Sequence, residues 1–479
     1  MKHYKLYICT LFLLSITASC KKFVEIPTPI NQVVTASVFA KDNSAIAALT
    51  AIYPQMMDRE FFPFDISIYT GVAGDELFSY STSQGIVQLY EGAIQAKDSP
   101  TNDLWTLGYN LIYQANAVYE GCDQSNTLTS PVKKQLMAES RFIRAFWYFY
   151  LVNLYGDVPL LTTTDYATNA QASRTTQTQV YQQIIADLKY AEANLNEGYV
   201  NGATNTTGTA RIRPNKYTAA ALLARTYLYT KDYANAEGEA TVVINNTSTY
   251  NLVDITKVFL ANNNEAIFQL PESPPNNVSI NTWEGAYYFL LTKPTSDVQN
   301  SSTLSTSLLN AFDLTDKRKI NWIGSVTDTT VTPNITYYFP YKYKVVNSST
   351  ITEQSTVLRL AEQYLIRSEA RAQNGNLSGA IDDIDVIRAR AGISLIKTTN
   401  PGISKEDLLQ VIATERQKEF FTEYGHRWMD LKRTGKIDAV MPAAATAKGT
   451  TWKTTNQLWP IPLSDIQNDN KLVQNPGYN

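Results

Sequence analysis

Histidine and cysteine are scarce in this chain, and the scarcity narrows its chemistry. Two histidines, His3 and His426, occur in 479 residues. His3 lies in a signal-like N-terminal segment expected to be removed, so a multi-histidine metal centre is excluded and a Ser-His-Asp site would depend on His426 alone. No GxSxG, HExxH or Walker-type loop is present. Charge is also thin: charged residues make up 18% of the chain, the net charge is −3 and the pI is about 5.7. The basic footprint of a nucleic-acid binder is missing. After the first twenty residues no apolar run approaches membrane-spanning length.

The three cysteines, Cys9, Cys20 and Cys122, leave little scope for disulfides. Lys2, His3 and Lys5 precede an apolar run from Leu6 to Ile16, too short to span a bilayer but suited to a signal-peptide core. Thr17-Ala18-Ser19-Cys20 follows and resembles the lipobox of bacterial lipoproteins, although Thr17 stands where leucine is usual. That resemblance implies cleavage before Cys20 and a diacylglycerol on its sulfur. Cys9 would leave with the signal peptide, so Cys122 would remain as a lone structural thiol near a helix end. Residues 1–19 are thus expected to be a signal peptide and 20–36 a lipidated tether, carrying two prolines and little periodicity.

Aromatic and neutral polar side chains are abundant instead. Thirty tyrosines and seven tryptophans accompany much Asn, Thr, Ser and Gln. This chemistry suits hydroxyl- or amide-rich neutral ligands, although most tyrosines in a large fold line its interfaces. Helical periodicity begins at Ala36 and recurs over 104–119, 133–155, 180–195, 217–229 and 233–244. The pair 217–229 and 233–244 places Ala220, Leu223, Ala224, Tyr227, Ala236, Ala240 and Val243 at tetratricopeptide spacings, and a second match starts at Tyr364. Two distant matches do not make a tandem solenoid; they predict helix pairs brought together by a larger fold. Residues of about 250–356 are irregular, with strand-like runs at 266–270 and 336–344. The division expected is a helical region over 37–245, and a second region over 246–479 holding the irregular subdomain and closing helices.

The stretch Ala413 to Gly435 is distinctive. Glu415, Glu419 and Glu423 recur every four residues, and Gly425 is placed to end the helix. Either this is a solvated acidic face or a paired, partly buried element; Phe420, Phe421, Trp428 and Met429 favour the second. Arg388 and Arg390 are the expected partners of the stripe, and Arg427 can pair with Glu423 at four-residue spacing. These six residues would form a structural clamp.

Several blocks together resemble the SusD/RagB family, surface lipoproteins of Bacteroidetes. They are 139–149 (ESRFIRAFWYF), 156–160 (GDVPL), 360–370 (LAEQYLIRSEA), 387–392 (IRARAG), Glu415-Arg416 with 425–433 (GHRWMDLKR), 459–462 (WPIP) and 474–478 (QNPGY). The resemblance implies a mainly α fold of tetratricopeptide-like helix pairs, with a loop-rich subdomain carrying the ligand site. It further implies a protein lipid-anchored in the outer membrane and exposed at the cell surface. Such a protein binds oligosaccharides, or in some members peptides, and serves a SusC-like TonB-dependent transporter. No catalysis, metal or cofactor is implied. By position, the loop after Gly74 and the irregular region resemble the parts that supply stacking aromatics, which makes Phe78, Tyr80, Trp283, Tyr287, Tyr288 and Trp322 the ligand-contact candidates. Asp75 and Glu76 would accept bonds from sugar hydroxyls or cap a turn near Gly74. Two other readings stay open on the sequence: a surface glycoside hydrolase built on a carboxylate pair, and a protein-interaction scaffold.

Overall fold

The computed structural model describes residues 35–57, 64–97, 99–270 and 281–478. Cys20, the signal segment and nearly all of the tether lie outside them. The fold is mainly α. Its longer helices are α1 (Asp42–Thr50), α2 (Phe64–Ala73), α3 (Thr101–Gln124), α4 (Ser130–Tyr155), α5 (Gln177–Asn194), α6 (Lys216–Tyr229) and α7 (Tyr233–Ile244). After the irregular region come α8 (Leu360–Gln373), α9 (Leu377–Ala391), α10 (Lys405–Phe420), α11 (His426–Arg433) and α12 (Ile437–Ala447).

Helix α4 is the hub. Thr129 precedes it and Pro131 sits in its first turn, where a missing N–H costs nothing; periodicity alone places the start at Lys133. Gly156, at φ 78°, ends it. Helices α3 to α9 form a relay in which each packs on the next, and α7 meets α8 directly across the intervening segment 245–359. The two tetratricopeptide-like matches are therefore neighbours in space. Ala219, Ala220, Ala221, Ala224, Ala236 and Ala240 are fully buried, and their small side chains let the helices of the repeat approach. Two-toothed ion pairs fix the order: Arg144 with Asp187 joins α4 to α5 at 2.6 and 2.8 Å, and Arg225 with Glu362 joins α6 to α8 at 2.6 and 2.7 Å. Cys122 is buried near the end of α3, its thiol pushed up to about 12 by burial.

The irregular region forms small sheets. Strand β1 (Leu77–Ser79) pairs antiparallel with β3 (Ser302–Leu304), and β2 (Ala266–Gln269) with β6 (Thr356–Arg359). β4 (Ile323–Asp328) and β5 (Ile335–Pro340) form a hairpin, and β5 also lies beside β3. β6 runs unbroken into α8, which ties this region to the helical relay.

Candidate functional site

The acidic stripe proves to be buried and paired. Glu415 meets Arg318 at 2.6 Å and Arg388 at 2.9 Å. Glu419 meets Arg359 at 2.6 Å and Arg318 at 2.9 Å, and also Arg390. Glu423 is gripped by Arg359 at 2.8 Å and by Lys342. Burial alone would raise the Glu419 carboxyl, but Arg390, Arg359 and Arg318 outweigh it and hold the group far below the usual carboxylate range. Burial pushes Lys342 down to about 8, with Glu423 opposing. Arg388 and Arg390 thus take part as the sequence suggests, while Arg318, Arg359 and Lys342, from the irregular region and β6, are partners it does not reveal.

One pairing differs from expectation. Helix α10 ends at Phe420, and Thr422, Tyr424 and Gly425 adopt positive φ before α11 begins. Glu423 therefore lies in the turn, so the four-residue helical pairing with Arg427 does not form. Arg427 instead makes a bidentate contact with Asp75, its Nη2 2.6 Å and Nε 3.0 Å from the carboxylate oxygens. Asp75 is accordingly engaged with a guanidinium and is neither an open acceptor for sugar hydroxyls nor a cap. Glu76 is buried too; burial, then Asp75, push its carboxyl up to about 8, against the pull of Arg427. It faces the N–H of Thr422 at 3.4 Å.

These contacts position the strand that follows. The Ser305 hydroxyl and amide donate to the carbonyls of Asp75 and Glu76 at 2.6 and 2.8 Å, and Lys448 donates to the carbonyls of Val72 and Gly74. β1 is thus held from both sides. Leu77 enters the core, and alternation turns Phe78 and Tyr80 to the opposite face. Phe78 is half-buried opposite Thr303, while Tyr80 is 47% exposed and meets Tyr337 of β5 edge-on at 5.8 Å. Burial and the nearby Tyr80 raise the phenol of Tyr90. On the other face of the hairpin Tyr338 is 42% exposed. Tyr80 and Tyr337 meet at the surface with Tyr90 close to Tyr80 and Phe78 on the same face of β1, and we refer to this group as the aromatic ledge.

The other aromatic candidates are placed differently. Trp283 is buried and its indole N–H donates to the Met57 carbonyl at 2.8 Å. Trp322 is 1% exposed, donates to the Ile255 carbonyl at 3.0 Å and packs against Phe259. Tyr288 is buried against Phe64, and Tyr287 is half-buried between Phe64 and Trp283. Trp283, Tyr288 and Trp322 therefore build the subdomain core and offer no open face to a ligand. Their polar neighbours in sequence disguise this, because each indole finds a backbone carbonyl inside the protein. Half-buried Tyr90 and Tyr337 and exposed Tyr338 are aromatics near Tyr80 or on its neighbouring hairpin that sequence reasoning misses; the alternation within 336–344 is the one signal that marks the last two. His426 is buried and stacked on Phe420 at 4.7 Å. Burial first, and Arg225 and Arg416 next, keep it well below its ordinary value.

Comparison with known proteins agrees with this architecture over nearly its whole length. Residues 282–478 match the SusD family, and residues 23–228 match a family described as starch-binding, associating with outer membrane. "SusD-like protein P2" of Formosa agariphila is 25% identical, with both chains covered in full. "Starch-binding protein SusD" of Bacteroides thetaiotaomicron is 24% identical over 84% of this chain and 83% of its own. A solved structure described as a laminarin-binding SusD-like protein superposes with a TM-score of 0.71 at 23% identity, covering 91% of this chain and 99% of the other. With the helix relay, the buried stripe and both ends of the chain matched, the protein belongs to the SusD/RagB family.

Proposed function

We propose that this protein is a lipid-anchored, surface-exposed outer-membrane protein that captures oligosaccharides on the ledge of Phe78, Tyr80, Tyr90 and Tyr337 and passes them to a SusC-like TonB-dependent transporter. The observation that carries the reading is the pairing of Tyr80 with Tyr337 at the surface, on a strand held rigidly from beneath. Sugar rings present apolar C–H faces that stack on phenol rings, while their hydroxyls share hydrogen bonds with the tyrosine O–H groups. The relatives named for starch and laminarin support a glycan over a peptide, and the outer-membrane description of the matching family supports the location. Binding without turnover is the activity proposed.

Affinity electrophoresis and calorimetry across starch, laminarin and other neutral glycans test it. Binding by the wild type and about tenfold weaker binding by Tyr80→Ala and Tyr337→Ala are expected, each ring contributing about 1.4 kcal/mol. Failure to bind any glycan would overturn the reading. Release of reducing ends dependent on one carboxylate would replace it with a hydrolase. For the anchor, Cys20→Ala should leave the protein unlabelled by palmitate and free of the membrane.

A further inference from the structure

A second recess lies away from the ledge, where the C-terminal end of α4, the start of α5 and α11 meet the chain's final segment. Its volume is about 470 Å³, within the range of small-ligand sites. Asn153, Gln177, Tyr229, Lys432, Thr455 and Gln457 supply most of its polar wall. Among the described residues no carboxylate lines it, and Tyr181, Tyr229, Lys432 and Arg433 are its ionisable groups.

Lys432 is unusual among the cations of α11. Arg433 is saturated by Glu369 at 2.6 Å and Asp430 at 2.7 Å, and Arg427 by Asp75. Lys432 donates only to the carbonyl of Asn153 and has no ion-pair partner among the described residues. Burial pushes its ammonium down to about 7. A partly buried cation without a counter-ion is disfavoured, and an incoming anion would offset that. Tyr229 also lines the recess; it is nine-tenths buried, and its hydroxyl has no hydrogen-bond partner among the described residues.

Past Gln177, Leu458 and Pro476 the recess continues into another of about 410 Å³. Arg174 and Lys471 stand there with Asp157 as the one acid. Arg174 donates to the carbonyls of Asp157, Tyr155 and Val473 and to the Asn475 side chain, and to no carboxylate among the described residues. The trough is cationic on a chain of net charge −3.

We propose that this trough is a second ligand site, taking an anionic sugar group, either the carboxylate of a uronic acid or a sulfate ester, at Lys432. The amides and hydroxyls around it serve the sugar's own hydroxyls, and the size suits one or two rings better than a protein segment. The idea rests on the glycan reading for the sugar ring only, since its site is separate from the ledge.

The test uses the full mature chain with glucuronic acid, glucose 6-sulfate, glucose and a glutamate-rich peptide, followed by ligand-observed NMR and calorimetry. At least one anionic sugar should bind, glucose should not compete with it, and Lys432→Met should weaken it at least about tenfold while Lys432→Arg retains it. Which anion binds distinguishes carboxylate from sulfate. Thr455→Val, at another lining residue, is the second variant in case Lys432→Met does not fold, and should also weaken binding. Absence of binding by both anions, or affinity unchanged in these variants, overturns the proposal. So does a peptide that binds more tightly than either sugar through Lys432. Neutral-glycan loss in Tyr80→Ala with anion binding intact shows the two sites to be separate, and either can fail without the other.

Discussion

Arg427 of α11 forms a bidentate ion pair with Asp75, 352 residues earlier in the chain, and so couples the clamp region to β1 and to Tyr80 directly after it. Both side chains are largely buried. Arg427→Met would leave Asp75 as an unpaired buried charge, at a cost of about 3–5 kcal/mol. Urea denaturation should show that loss, and Asp75→Asn in the same background should recover much of it. Equal stability in the single and double variants would show that the pair is not coupled.

The pH dependence of stability should carry the mark of Glu76. Its folded-state value, about 8, lies above the unfolded value near 4.5. Between those limits the folded state binds the extra proton, so its contribution is complete below about pH 4.5 and is lost as pH rises to 8. Glu284, raised by burial to about 7, acts in the same direction. Glu76→Gln keeps an acceptor for the Thr422 amide and removes the titration. The variant should therefore show a shallower fall from pH 5 to 8.5, and be more stable than the wild type at pH 8.5 by roughly 2–5 kcal/mol. Denaturation midpoints at the two pH values check this; parallel curves would contradict it.

Core and ledge aromatics should separate cleanly. Trp322→Ala empties a buried site and leaves the Ile255 carbonyl without its donor, costing about 3–5 kcal/mol. Tyr80→Ala removes a half-exposed ring and should shift stability by under about 1 kcal/mol while weakening glycan binding. Thermal melts run beside the binding assays decide it. A Trp322→Ala protein that melts like the wild type would return that indole to the ligand candidates.

Much of this was legible in the residues themselves. Helical periodicity locates α3 to α7 and the tetratricopeptide spacing from Tyr364 points to α8 and α9, while the small residues at Ala220, Ala224, Ala236 and Ala240 mark a close-packed pair. The stripe of Glu415, Glu419 and Glu423 signalled that cations must face it. Which cations was legible only in part, because Arg318, Lys342 and Arg359 come from distant segments whose local pattern carries no trace of α10. The same limit applies at the ledge. A tryptophan in a polar segment reads as a surface platform, yet the carbonyls of Met57 and Ile255 satisfy Trp283 and Trp322 inside. Tyr337 becomes a candidate only once β1, β3 and β5 are side by side.

Gly121 tests the packing of α3 against the N-terminal segment. A glycine inside a helix ordinarily invites alanine, which should gain about 1 kcal/mol from backbone entropy. Here a Cβ would stand 2.2 Å from the ring of Phe39, far inside contact distance. The ring has little room to retreat, because the Ser125 hydroxyl donates to the Phe39 carbonyl at 2.7 Å and the side chain is buried. Gly121→Ala should therefore destabilise by about 1–3 kcal/mol, the overpacking exceeding the helical gain. Adding Phe39→Leu should return part of that loss, as neighbouring substitutions that share one space are not additive. A stabilised Gly121→Ala protein would mean that α3 and the Phe39 segment part easily, and that this contact contributes little to the helical relay.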